Sequence, residues 1–177
     1  MMTASSKALW DAMSVESDKH HETNDCTVRT LTAVTGLPYD VCHAQLKKQG
    51  RKNRKGCHWY IEGPKAAKAL GFTMTRLARN EFRAKTMITA ERDSSISSGN
   101  YAVLVQGHVA GLVDGQLIDW SAGRRHRIQA VYAVTKDANA PAPAPTPKAR
   151  KRTMPKGSTT WQSFRKYKKQ DNYNLFD

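Results

Sequence analysis

Cys26, His108 and Asp119 are the residues whose types and order could do chemistry. Cys26 lies in Thr23-Asn24-Asp25-Cys26-Thr27-Val28-Arg29, His108 in Val105-Gln106-Gly107-His108-Val109-Ala110-Gly111, and Asp119 follows one short run later, just before Trp120. A thiol is a nucleophile only as thiolate, a form favoured by the free amides of a helix's first turn and by a neighbouring imidazole. A histidine to exchange the proton and an acid to orient its ring complete the set that acyl transfer on sulfur requires. The tetrahedral oxyanion then needs donors beside the sulfur, and the Cys26 backbone N–H and the Asn24 side chain are the candidates.

These residues need elements to position them. Asn24 or Asp25 is a good N-cap, so Cys26 falls in the first turn of a helix whose apolar positions are Val28, Leu31 and Val34 and whose stop is Gly36. Pro38 opens a second helix, Tyr39 to Lys48, with Val41, Cys42, Gln45 and Leu46 on one face and Gly50 at its end. A short helix is expected from Pro64 to Leu70, and one or two amphipathic turns from Ala8 to Met13. Strands are expected at Phe72 to Leu77, Tyr101 to Val105, Val109 to Val113, Gln116 to Trp120 and Arg127 to Val134. Asp114-Gly115 is a hairpin turn, and the two strands it joins bring His108 and Asp119 within a side chain's reach. The pattern is α+β, with N-terminal helices packed on an antiparallel sheet.

The segment Asn24-Asp25-Cys26-Thr27-Val28-Arg29-Thr30-Leu31 resembles the nucleophile helix of papain-like cysteine peptidases in the broad sense. It is similar to the bacteriocin-leader-processing and transglutaminase-like branches, and to the ovarian-tumour-type deubiquitinases. The run from Gly107-His108 through Asp114-Gly115 to Asp119 resembles the strand pair that carries their histidine and acid. The same layout resembles small uncharacterised proteins of tailed bacteriophages. The resemblance spans Thr23 to Trp120 and implies a papain-like fold and a phage-associated thiol hydrolase, a peptidase or isopeptidase, with Cys26, His108 and Asp119 as its triad. The chain departs from the papain pattern in lacking a Gln several residues before the cysteine and a Gly-Trp beside it. Asn24 then stands as the oxyanion donor.

Charge sets the choice of partners. The chain has 29 Lys and Arg against 15 Asp and Glu, a net charge of +14. Half of that excess lies beyond Asp137, past an Ala-Pro alternation from Ala140 to Pro147 that favours an extended spacer. The expected organisation is an N-terminal arm (residues 1–22), a papain-like domain (23–136), an Ala/Pro-rich basic linker (137–152) and an aromatic-basic tail peptide (153–177). The tail sets Trp161, Phe164, Tyr167, Leu175 and Phe176 among cations. Such a stretch stacks on bases or docks as a peptide into a protein groove, and the number of aromatics favours docking. Arg51, Lys52, Arg54 and Lys55 form a basic loop suited to a polyanion, and Arg124-Arg125-His126-Arg127 is a second cluster.

Two further readings stand beside the hydrolase. A lapsed peptidase scaffold would serve as a virion structural or adaptor protein, tied by its tail to capsid, phage tail or DNA. A nucleic-acid-binding module without catalysis is the third. No run is long and apolar enough to span a membrane, and the polar N-terminus does not read as a signal peptide. Three cysteines, an odd number, suit a reducing compartment, the host cytoplasm or the virion. His20-His21-Glu22, Cys42-His43 and Cys57-His58 tempt a metal reading, but no pair has zinc-knuckle spacing, so neither metal nor other cofactor is expected. Cys57 and His58, beside Trp59 and Tyr60, are read instead as residues that could line the cleft, and Trp120 as core or a lid.

Overall fold

The apolar runs around Tyr101 and Val109 are continuous because both faces of the strands they form are covered. A computed structural model describes residues 3–138. Four helices, α1 (Ala4–Lys19), α2 (Cys26–Thr35), α3 (Tyr39–Lys48) and α4 (Trp59–Ala69), precede strand β1 (Phe72–Arg76). A covering segment with the short helix α5 (Met87–Ala90) leads to β2 (Asn100–Val105), β3 (His108–Val113), β4 (Gln116–Ile118) and β5 (Ile128–Lys136). The strands form one sheet in the order β1-β5-β2-β3-β4, every pair antiparallel, so the class is α+β as the periodicities indicate. Among the described residues no helix is long and apolar enough to cross a membrane.

Side chains alternate between two cores, as a period of two requires. Ala102, Leu104, Val109, Ala130 and Tyr132 meet Trp59 on the helical face. Val103, Val105, Ala110, Leu112 and Val131 meet Phe82, Met87 and Ile96 on the other face. The segment between β1 and β2, which carries no sequence periodicity of its own, is therefore a lid on the second core. Asp93 pins it by accepting from the backbone N–H groups of Arg83 and Ala84.

The helices differ from expectation at their ends. α1 runs from an N-cap at Thr3, whose Oγ1 accepts from the Ser6 N–H at 3.3 Å, and buries Met13 in the same core as Leu31 and Leu46. Residues 3–22 are thus not a separate arm: Met13 is core and Glu22 is buried. α4 starts five residues before Pro64 rather than at it. A proline there gives up one backbone bond near the start of the helix, and the burial of Trp59, Ala66 and Ala67 outweighs it. The Ala-Pro spacer from residue 139 onward and the tail anchors Trp161, Phe164, Tyr167, Leu175 and Phe176 lie outside the described residues.

Candidate active site

α2 lies along β3, and three successive contacts aim its N-terminus at His108. A Cβ on Gly111 would sit 2.9 Å from the Ala33 Cβ, so only glycine lets the helix approach this closely. One turn nearer the helix start, the buried Thr30 hydroxyl donates to the Val109 carbonyl at 3.0 Å. A further turn back, Cys26 opens the helix beside His108, the first residue of β3. Val105 and His108 are cross-strand partners flanking the tight Gln106-Gly107 turn, whose Gly107 has φ +70°. The histidine backbone is therefore held at both strand and turn.

The hairpin that follows supplies the acid. Asp114 and Gly115 both take positive φ, 45° and 75°, as a two-residue turn of this hand requires, and Val113 pairs with Gln116. The return strand delivers Asp119, whose Oδ1 lies 2.9 Å from His108 Nε2 and also accepts the Ser121 N–H at 2.8 Å. Asp119 is 2% exposed. With Nε2 engaged, Nδ1 is the ring nitrogen left for the thiol. Burial opposes a charge on His108, but its hydrogen bond to the Asp119 carboxylate, with Cys26 close by, outweighs it and raises the ring pKa to about 9. Trp120 leans over the ring with centroids 5.2 Å apart and stays half exposed. It is therefore not core, and it stands at the cleft wall beside the ring.

Asp25 occupies the N-cap of α2, but its carboxylate makes no cap bond. It turns instead to Arg29 Nε at 2.9 Å and accepts from the Tyr39 hydroxyl at 2.7 Å. A buried carboxylate is better satisfied by a guanidinium and a phenol than by an amide already at a helix end. Among the described residues no acceptor engages the Cys26 backbone N–H. That donor stays free beside the sulfur, where an oxyanion would form. Asn24 lies near Cys26 on one cleft wall, but its Nδ2 donates to the Arg54 carbonyl at 3.1 Å, so one of its two N–H bonds is committed to holding the next loop.

That loop is only partly the basic surface it reads as. Arg51 is buried, with both terminal nitrogens 2.9 Å from the Glu22 carboxylate, so it is structural and not available to a partner. A buried guanidinium needs a carboxylate, and none is within reach in local sequence, so the pairing could not be read from the run of cations. Glu22 also takes His43 Nε2 at 2.7 Å and the Arg54 N–H at 2.7 Å. Burial opposes its charge, yet the bonds from Arg51, His43 and the Arg54 backbone hold its carboxyl down to about 2. Lys52, Arg54 and Lys55 remain exposed. His43 and Glu22 thus serve each other, and among the described residues no three His, Cys, Asp or Glu side chains converge to hold an ion.

Two clefts meet at the thiol. One, of about 190 Å³, is lined by Cys26, Cys57, Trp59, Leu104, His108 and Val109. The other, of about 340 Å³, is lined by Trp10, Asn24, Cys26, Arg29, Asp119 and Trp120. Cys57 and His58 do line the cleft, but burial pushes the Cys57 thiol up to about 12, which leaves it protonated. Comparison with protein-family models, characterised proteins and solved structures finds no significant match to this chain.

Proposed function

We propose that this domain is a papain-like thiol hydrolase acting on an amide or isopeptide bond, the class of enzyme the resemblance implies. One observation carries the reading: His108 is hydrogen-bonded to Asp119 at 2.9 Å and lines the same two clefts as Cys26, which opens α2. With the ring held cationic at neutral pH, the site supports an ion-pair route. The thiolate attacks the carbonyl carbon, and the C=O π pair moves onto oxygen, where the Cys26 N–H receives it. The imidazolium gives its proton to the leaving nitrogen as the C–N bond breaks, leaving a thioester. His108 then takes a proton from water, the hydroxide adds to the thioester, and sulfur departs. Asp119 keeps one ring orientation throughout and stabilises the imidazolium.

Cys26→Ala tests this. It should abolish hydrolysis of a fluorogenic peptide or isopeptide panel and modification by a thiol-directed electrophile, with the circular dichroism spectrum unchanged. Hydrolysis that survives Cys26→Ala would remove the reading, and a parent that neither hydrolyses nor reacts would leave a lapsed scaffold serving as an adaptor.

A further inference from the structure

We propose that the groove through Cys26 is built to seat an acidic polypeptide segment; for the bond cleaved, this rests on the hydrolase reading. The two clefts at the thiol are not the whole groove. A third, of about 530 Å³, is lined by Val105, Gln106, His126, Arg127, Ile128 and Gln129. It shares Val105 and Gln129 with the cleft beside Cys57, and that one shares Cys26, Gly107 and His108 with the cleft beside Trp120. Linked through these shared lining residues, the three clefts make up the proposed trough, which passes Cys26 where the clefts beside Cys57 and Trp120 meet.

Its charge is one-sided. Arg124, Arg125, His126 and Arg127 are all exposed, and among the described residues none of these side chains enters an ion pair. On the other flank, the loop holding Lys52, Arg54 and Lys55 is tied to Asn24 through the Arg54 carbonyl and reaches the trough at Gly56. The carboxylates lining the three clefts are Asp25 and Asp119, both buried and both already bonded. Unpaired cations on both banks, with no free carboxylate between them, complement a chain that brings carboxylates of its own. A polypeptide fits better than a nucleic acid. Arg124 covers a face of Trp120 at 5.0 Å, which takes up the obvious stacking platform, and the walls nearest the sulfur are Leu104, Val109 and Trp59, a lining for side chains.

The experiment uses the full chain and the triple variant Arg124→Gln, His126→Gln, Arg127→Gln, none of which touches the reacting atoms. Three peptides share one central sequence and carry Asp/Glu, Asn/Gln or Lys on both flanks. Fluorescence anisotropy of these peptides with Cys26→Ala protein reads binding without chemistry. The same peptides bearing a chloroacetamide read the rate of Cys26 modification. The expected result is an advantage of about tenfold or more for the acidic peptide over the neutral one in both assays, shrinking with added salt and largely lost in the triple variant. Modification by iodoacetamide should be the same in both proteins. The basic tail is present in both, so the difference reports the trough. Equal binding of acidic and neutral peptides would overturn the proposal, as would an advantage that survives the triple variant or a single-stranded oligonucleotide that binds the trough more tightly than the acidic peptide. Normal iodoacetamide reactivity in such a case leaves the hydrolase reading standing; an unreactive Cys26 with acidic binding intact sinks only the hydrolase.

Discussion

His108 and Asp119 are joined through Nε2 and Oδ1 at 2.9 Å, and the same oxygen accepts the Ser121 N–H. The acid is thus fixed by its own turn before it fixes the ring. Asp119→Asn keeps the shape but removes the charge that favours the imidazolium. Catalytic rate should fall by on the order of 10²- to 10⁴-fold, as measured by turnover of a fluorogenic substrate, and the thermal melt at neutral pH should drop with the lost charge pairing.

The raised His108 pKa has a pH signature. Its folded value of about 9 stands above the ordinary 6.5, so the stabilisation it brings is complete below about 6.5 and is lost as pH rises through about 9. A histidine ring resonance followed by NMR should titrate near pH 9 in the parent and move toward the ordinary value in Asp119→Asn. A ring that already titrates near 6.5 in the parent would contradict the assignment.

Glu22 sets the acid edge. Its carboxyl is held down to about 2, so its contribution is present above about 4.5 and lost as pH falls toward 2. Glu22→Ala leaves Arg51 buried without its partner. A loss of about 3–5 kcal/mol in urea unfolding is expected. Lys52→Ala, on the exposed part of the same loop, should change stability little.

Gly111→Ala places a methyl 2.9 Å from the Ala33 Cβ and pushes α2 off β3. Stability should fall by about 1–3 kcal/mol, and Cys26 modification should slow because the helix carries the thiol. Adding Ala33→Gly should restore the modification rate even though a mid-helix glycine brings its own loss of about 1 kcal/mol.

The α+β class, the α2 and α3 helices and the hairpin at Asp114-Gly115 are legible in the sequence because each rests on local signals: a stop at Gly36, a start at Pro38, a two-residue turn. The pairing of His108 with Asp119 is legible for the same reason, since one hairpin sets it. Long-range pairing is not legible. Arg51 reads as one more cation in a basic loop because its partner lies 29 residues away at Glu22. Asp25 reads as a cap because nothing in the sequence announces Tyr39, 14 residues away, as a partner that joins Arg29 at i+4 in holding its carboxylate. The lid from Phe82 to Ile96 has no periodicity, since its few buried residues are spaced by turns rather than by one helix or strand.

Site-resolved alkylation of the three cysteines at neutral pH, read by peptide mass spectrometry, tests the central claim most directly. Burial pushes Cys42 up to about 11 and Cys57 up to about 12, so both serve as slow internal controls. Cys26 should react far faster than either, and His108→Ala should reduce its rate toward theirs. Modification of Cys26 at the same rate with and without His108, or no faster than Cys57, would contradict the account.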